Sequence, residues 1–199
     1  MLPENYNIRR IAVDCDNTLV DFDGVHCARL NAKYGTDFTR IDGLTGRIAQ
    51  VIGAKAEQDD VEEFLNGQEL EKIPVLKDSY RVLSYLKVQG FYLEVVTSRP
   101  EIYRAATERM IDKNFPGIFS AITFSFNPTT PEGRKLPHKS EICKARNLDV
   151  LVDDYHKYVK ECADNGIRVI FFDTTGDDRF DGDPMVKRVR SWSEIALAV

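Results

Sequence analysis

The residues of this 199-residue chain that could do chemistry are carboxylates, hydroxyls and a lysine that follow or closely precede short apolar segments. They lie in four separate parts of the sequence: Asp14 and Asp16, Thr97 and Ser98, Lys139, and Asp153 and Asp154. Clustered carboxylates repel one another unless a cation lies between them, so convergence of these parts would indicate a bound metal ion. Because the ligands would be oxygens, without histidine or cysteine at a suitable spacing, Mg²⁺ is the natural candidate.

These residue types could bind a phosphate ester and hydrolyse it. Mg²⁺ takes one or two carboxylates together with substrate phosphate oxygens, which fits Asp14 and Asp154 as ligands. Thr97, Lys139 and backbone N–H groups of the first loop would donate to the remaining phosphate oxygens. A carboxylate nucleophile at Asp14 would split the hydrolysis into two displacements, and Asp16 could protonate the leaving group and then activate water.

Each of these signals also has a simpler explanation. Two aspartates separated by one residue, such as Asp14 and Asp16, are common in turns that follow a strand. Thr97 and Ser98 could simply cap the helix that follows them. Paired aspartates also occur at positions 59–60 and 177–178, where we expect solvated surface. Only Asp153 and Asp154 follow directly on an apolar segment. The combination of all four parts at strand ends is what favours a site.

The elements that would position these residues are short strands alternating with helices. Apolar segments that predict buried parallel strands lie at 11–13, 91–96, 121–126, 150–152 and 167–172. The predicted inner faces of two intervening helices carry Leu76, Tyr80, Leu83 and Leu86, and Ile102, Ala106 and Met110. We therefore expect an α/β fold: a Rossmann-like, mostly parallel sheet with helices on both faces. Ligands of such sheets bind beyond the carboxyl ends of the strands.

One stretch, 22–73, breaks this alternation. It has helix-like pieces at 41–53 and 59–70, several glycines and no strand signal. We interpret it as a small helical cap inserted after the first strand, with 1–21 and 74–199 forming the core domain. Three prolines in 127–137 predict a surface loop there.

Composition narrows the classes of partner. The net charge of −5 argues against a nucleic-acid polymer or an anionic membrane as the main partner. No apolar run approaches the ~20 residues that span a bilayer, and the first ten residues have no signal-peptide pattern.

The four cysteines have no zinc-like spacing, and we expect them to be small buried hydrophobes in a reduced compartment: Cys15, Cys27, Cys143 and Cys162. We expect a cytoplasmic monomer or homodimer that binds a small phosphorylated substrate.

Four segments of the sequence resemble a known family in order and spacing. IAVDCDNTLVDF, LEVVTSRP, HKSEIC and VLVDDYHKYV resemble the four motifs of the haloacid dehalogenase (HAD) superfamily of aspartate-nucleophile phosphatases. The resemblance covers roughly residues 8–20 and 74–175 of the predicted core, and the insertion looks like the small cap of that superfamily. The TSRP and DD forms of two motifs are most similar to the 5'(3')-deoxyribonucleotidase branch.

The resemblance implies a role for each motif residue. Asp14 would be the nucleophile, Asp16 the general acid and base, and Lys139 would pair with Asp14 and phosphate. The implied phosphate-binding residues are Asp16, Thr97, Ser98 and Lys139, and the implied Mg²⁺ ligands are Asp14, Asp16, Asp153 and Asp154. Asn17 stands where glycine is commonest in the family, a substitution that many of its phosphatases share.

The implied activity is Mg²⁺-dependent phosphomonoester hydrolysis through an aspartyl-phosphate, with nucleoside monophosphates as substrates. A phosphatase of sugar phosphates or other small metabolites is the alternative. A response-regulator receiver gathers similar residues, but in another order and without a cap. A haloacid dehalogenase would need neither Asp16 nor a metal cluster. A catalytically idle binding protein is disfavoured because every chemical position is filled.

Other residues allow two interpretations. Arg99 either contacts substrate or is a solvated surface residue. Arg40, Arg47 and Lys55 of the insertion either recognise an acidic substrate or are solvated helix charges. Trp192 is expected to be a packing anchor.

Overall fold

A six-stranded sheet forms the centre of the protein, whose computed structural model describes residues 9–66, 68–176 and 178–199. The strands are β1 (Arg10–Val13), β2 (Tyr92–Thr97), β3 (Ala121–Phe124), β4 (Val150–Asp153), β5 (Arg168–Phe172) and β6 (Val186–Val189). Their order across the sheet is β3-β2-β1-β4-β5-β6, and all neighbouring strands run parallel. The predicted α/β fold is confirmed. The start of the predicted core segment, 1–8, and Asp177 lie outside the described residues.

The described α-helices are α1 (Phe22–Tyr34), α2 (Arg40–Thr45), α3 (Arg47–Ile52), α4 (Ala54–Asn66), α5 (Ser79–Val88), α6 (Arg104–Asn114), α7 (Lys139–Ala145), α8 (His156–Asp164) and α9 (Trp192–Ala198). Short 3-10 helices occupy Gln68–Lys72, Glu101–Tyr103 and Gly133–Lys135. Within the described residues, no helix is both long and apolar enough to cross a bilayer.

Helices cover both faces of the sheet, as predicted. Ile11 and Val13 of β1 pack in one core cluster with residues of α5, α6 and α9. Ala12, between them, belongs to a second cluster formed with α7 and α8. Because successive strand residues point to opposite faces and both faces are buried, the three residues 11–13 of β1 are all apolar rather than alternating with polar ones.

The middle of the sheet is where the strand order reverses. From β1 the chain builds outward through β2 and β3, and it then returns to add β4 on the other side of β1. Val13 lies opposite Val152 in the register of β1 and β4. The carboxyl ends of these two central strands therefore bring Asp14 and Asp153 to the crevice in which ligands of open α/β sheets bind.

The inserted segment leaves and rejoins the sheet domain at one place. Val20 and Val75 form an antiparallel bridge, and the N–H of Asp21 donates to the carbonyl of Pro74 at 2.9 Å. Between these points the described residues form α1 to α4 and a 3-10 helix, with no strand. Cys27, Leu30, Phe38 and Ile48 form a small core of their own, whereas Phe64 and Leu65 of α4 join the main core.

Some details of the sequence-based expectation are wrong. Tyr80 and Ile102 were expected on inner helix faces, but their residue exposures are 45% and 66%. The 3-10 turn before α6 changes the helical phase, so that Tyr103 rather than Ile102 is buried. Asp60 was expected on solvated surface and is instead fully buried. β6 was not predicted, because the sequence VKRV mixes charges with only two apolar residues.

Candidate active site

The turn after β1 positions the first two aspartates. The N–H of Asp14 donates to the carbonyl of Val152 at 2.9 Å, which attaches this residue to β4. Asn17 has φ of +55°, in the left-handed region that glycine and asparagine tolerate best. This backbone conformation explains why asparagine can occupy a position that is usually glycine in the family whose motifs the sequence resembles. The turn closes as the N–H of Leu19 donates to the carbonyl of Cys15 at 2.9 Å.

The same turn is attached to the core through Trp192. The indole N–H of Trp192 donates to the carbonyl of Thr18 at 2.9 Å, and both residues are buried. The hydroxyl of Thr18 in turn donates to Oδ1 of Asp154 at 3.3 Å. Trp192 is therefore the packing anchor that the sequence predicts, and it also supports the loop that carries the site.

Lys139 connects two of the carboxylates. It is the first residue of α7, and it is 1% exposed. Its ammonium donates to Oδ1 of Asp14 at 2.6 Å and to Oδ2 of Asp153 at 2.7 Å. The ammonium also lies 4.4 Å from the centre of the Tyr158 ring. Lys139 is thus held between β1 and β4, at the position where the sequence predicts a positive charge.

Three carboxylates form a buried acidic cluster at the strand ends. Oxygens of Asp14, Asp153 and Asp154 all lie within 4.8 Å of one another. Arg40 reaches this cluster from α2 of the inserted segment, and its guanidinium donates to Oδ2 of Asp154 at 2.5 Å. The carboxylate of Asp16, an expected metal ligand, lies outside the cluster.

The electrostatics of the cluster follow from burial and charge. Burial raises the pKa of Asp14 to about 7, while Lys139 opposes the shift and Asp153 adds to it. Burial also raises the pKa of Asp154 well above its usual range, and the charges of Asp14 and Asp153 act in the same direction. Burial lowers the pKa of Lys139, but the carboxylates of Asp14 and Asp153 outweigh it and keep the pKa well above its usual value. Lys139 is therefore a permanent cation in this site.

The carboxylate of Asp16 is instead held by Arg99. Nε of Arg99 donates to Oδ2 of Asp16 at 2.9 Å, and Nη2 donates to Oδ1 at 2.6 Å. The Arg99 side chain is 2% exposed, whereas the Asp16 side chain is 26% exposed. Neither interpretation of Arg99 from the sequence anticipated this pair, in which a buried guanidinium orients a carboxylate that faces the cavity.

Thr97 and Ser98 lie at the carboxyl end of the neighbouring strand β2. Thr97 is 1% exposed, and its Oγ1 accepts a bond from the N–H of Arg99 at 3.2 Å. The hydroxyls of Ser98 and Ser125 lie 2.8 Å apart. One cavity of about 360 Å³ is lined by Asp14, Asp16, Asp154, Thr97 and Ser98. The structure therefore brings residues at or just after the carboxyl ends of β1, β2 and β4 to one cavity, with Lys139 bonded to Asp14.

The remaining charged residues of the insertion have different surroundings. Arg40 contacts the acidic cluster, a connection to which no local sequence signal points, because 114 positions separate it from Asp154. Arg47 donates to Asp42 at 2.8 Å, and Lys55 pairs with Asp59 one turn along α4. Since Asp42 already neutralises the half-exposed Arg47, Arg40 is the member of this group that touches the site.

The acidic cluster has the composition of a site for a hard cation. Its donors are carboxylate oxygens, the ligand type that Mg²⁺ prefers. Among the residues that the structure describes, its three carboxylates are paired with two cationic groups, those of Lys139 and Arg40. The residues present therefore fit a divalent metal ion, with Asp14, Asp153 and Asp154 as its side-chain ligands.

Comparison with known proteins connects this architecture to solved structures. No protein-family model and no curated protein sequence matches the chain. It is similar in structure to a predicted phosphatase from Clostridium acetobutylicum, with a TM-score of 0.67, 17% identity, and coverage of 96% of this chain and 98% of that chain. A HAD-superfamily hydrolase from Ehrlichia chaffeensis gives a TM-score of 0.57 at 13% identity, with 97% of each chain covered. YfnB from Bacillus subtilis, described as bound to magnesium, gives a TM-score of 0.62 at 14% identity, covering 97% of this chain and 99% of that one.

These similarities extend over nearly the whole chain and over nearly the whole of each neighbour. The sheet and its surrounding helices therefore form a HAD-like α/β fold.

Proposed function

We propose that this protein is a Mg²⁺-dependent phosphomonoester hydrolase in which Asp14 is the nucleophile. The observation that carries this proposal is the environment of Asp14. Its carboxylate belongs to a buried acidic cluster, accepts a bond from Lys139 at 2.6 Å, and lines a cavity with Thr97 at the end of β2 and Ser98 directly after it. A carboxylate in this position can approach the phosphorus atom of a phosphate group while the phosphate oxygens accept hydrogen bonds from neighbouring donors.

The chemistry of the first step uses Asp14 and Asp16. Because Lys139 donates to Oδ1 of Asp14, Oδ2 is the oxygen left to attack phosphorus. The bond from Asp14 to phosphorus forms as the bond to the ester oxygen breaks, and the carboxyl of Asp16 supplies the proton that the leaving alkoxide needs. When bound, Mg²⁺ would supply positive charge that offsets the repulsion between Asp14 and the phosphate.

The second step returns the protein to its starting state. Asp16 takes a proton from water, the water oxygen forms a bond to phosphorus, and the bond between phosphorus and Asp14 breaks. Lys139 stays protonated throughout and stabilises the Asp14 carboxylate that is released. Thr97 can donate its hydroxyl proton to a phosphate oxygen, because its Oγ1 acts as an acceptor towards the N–H of Arg99.

Nucleoside monophosphates are the substrates that we propose. Beyond the catalytic groups the insertion lines the cavity with apolar side chains, including Phe22, Leu44 and Ile48, and with a few polar ones, Asp23, His26 and Glu57. An apolar wall suits a nucleobase better than a polyhydroxylated sugar, whose hydroxyls would lose their hydrogen bonds to water there.

A phosphate-release screen over nucleoside monophosphates and sugar phosphates tests this function. We expect nucleoside monophosphates to be hydrolysed fastest, EDTA to abolish the activity and Mg²⁺ to restore it. Ca²⁺ should substitute poorly, because its coordination is larger and looser. Full activity after exhaustive chelation would contradict the metal requirement, and faster hydrolysis of hexose phosphates would contradict the substrate class.

A further inference from the structure

The cavity extends away from the acidic cluster into the inserted segment. Its walls there are side chains of α1, α2, α3 and α4: Phe22, Leu44, Ile48, Val61 and Leu65. A volume of about 360 Å³ is at the small end of ligand pockets, which span roughly 300–1,000 Å³. This part of the cavity therefore accommodates one compact, largely apolar group attached to the phosphate.

Two carboxylates of the inserted segment, those of Asp23 and Glu57, line the cavity together with these apolar side chains and His26, and Asp23 is paired with Arg40 at 3.7 Å. Glu57 lies in the first turn of α4 and is half-buried. Burial raises its pKa, and within the described part of the chain its carboxylate has no hydrogen bond or ion pair. A half-buried carboxylate that faces a cavity without a partner is a ready acceptor for a donor on the bound molecule.

The described residues that line the cavity offer no free counter-charge for an acidic ligand beside Glu57. Arg99 lines the cavity, but Asp16 and Thr107 already use its guanidinium. His26 also lines it, and burial lowers the pKa of this imidazole, which the Asp60 carboxylate only partly opposes. A second anionic group on the ligand would therefore be repelled by the Glu57 carboxylate, with no free cation beside it to offset the repulsion.

We propose that Glu57 is a specificity residue: it binds an N–H or ammonium donor on an apolar leaving group and disfavours leaving groups that carry a second anionic charge. This inference depends on the proposed function, since it places the phosphate at Asp14. It assigns to α4 of the insertion the selection of the group beyond the phosphate.

The test uses ligands that cannot be hydrolysed, so that binding is measured apart from catalysis. Calorimetry in the presence of Mg²⁺ compares benzylphosphonate with derivatives that carry a 4-aminomethyl or a 4-carboxymethyl group. The wild-type protein should bind the aminomethyl compound about tenfold more tightly than the parent and the carboxymethyl compound more weakly. Glu57→Gln should bind the aminomethyl and parent compounds almost equally and bind the carboxymethyl compound more tightly than the wild type does.

Glu62→Gln is the matched control, because it removes the same charge from the exposed side of α4. It should keep the wild-type order of the three affinities. The inference is overturned if the wild type shows no preference among the three phosphonates, if none of them binds, or if Glu57→Gln keeps the wild-type preference. Hydrolysis of phenyl phosphate is measured in parallel: its absence together with the expected binding order would refute the hydrolase and leave the binding role of Glu57 intact.

Discussion

Replacing Arg99 by methionine should impair catalysis only where the leaving group needs a proton. The substitution removes both bonds that orient the Asp16 carboxylate, at 2.9 and 2.6 Å, while it keeps an unbranched side chain in a buried position. Hydrogen bonds to charged groups contribute about 1.5–3 kcal/mol each. Because the Asp16 side chain is 26% exposed, the lower value applies, and two bonds give about 3 kcal/mol. If the Asp16 carboxyl loses this stabilisation in the transition state, the barrier rises by about 3 kcal/mol and the rate falls about 10²-fold.

The assay compares two esters. A nucleoside monophosphate expels a basic alkoxide and should show the whole loss, whereas nitrophenyl phosphate expels a stabilised anion and should lose much less in forming the phosphoenzyme. Arg104→Met is the control, since the Arg104 side chain is 40% exposed and contacts Glu101, Glu108 and the ring of Phe124 rather than Asp16. It should leave both rates nearly unchanged.

A double-mutant cycle identifies the group through which Arg99 acts. Asp16→Asn should reduce hydrolysis of the nucleoside monophosphate by about 10²–10⁴-fold. In that background Arg99→Met should add little, because the carboxylate that it orients is already gone. Equal losses for both esters, or full additivity with Asp16→Asn, would refute the positioning role of Arg99.

Three further changes report on other parts of the structure. Trp192→Phe leaves the buried carbonyl of Thr18 without its donor and should lower the free energy of unfolding by about 1–3 kcal/mol, measured by urea denaturation with circular dichroism. Arg40→Ala removes a competing cation from the acidic cluster and should tighten Mg²⁺ binding measured by calorimetry; unchanged or weaker binding would contradict this role. Burial lowers the pKa of His26, so the unfolded chain takes up that proton first and the unfolding free energy should fall as pH drops below about 6.5. His26→Gln should flatten this pH dependence, and an equally steep dependence in the variant would assign it to other groups.

The central strands and the residues at their ends were predictable from the sequence. Both faces of the sheet are covered, so β1, β4 and β5 carry runs of apolar residues that end near polar ones. β2 follows the same pattern except for the buried Glu94. Since parallel strands place their carboxyl ends at one edge, Asp14, Thr97 and Asp153 had to lie near one another. The edge strand β6 lacks this signal because one side of it faces solvent, which permits Lys187 and Arg188 within the strand.

The pairings that tune the site were not predictable in the same way. Asp16 and Arg99 are 83 positions apart, and Arg40 and Asp154 are 114 apart. Such contacts depend on how the loops and the inserted helices fold over the sheet. The residue types along the sequence do not by themselves predict that arrangement. Asp60 shows the same limit: its sequence neighbourhood is polar, yet Arg29 and Lys33 of α1 surround its buried carboxylate at 3.0 and 2.8 Å.

The most direct test of the central claim is to trap phosphate on Asp14. A single turnover with excess protein and Mg²⁺, stopped by rapid acid quench and analysed by peptide mass spectrometry, should show one phosphoryl group on the peptide that contains this residue. The Asp14→Asn variant should lack the adduct, and its turnover should fall at least ~10³-fold. Phosphate on a different residue, or hydrolysis by Asp14→Asn at more than about a tenth of the wild-type rate, would contradict nucleophilic catalysis by Asp14.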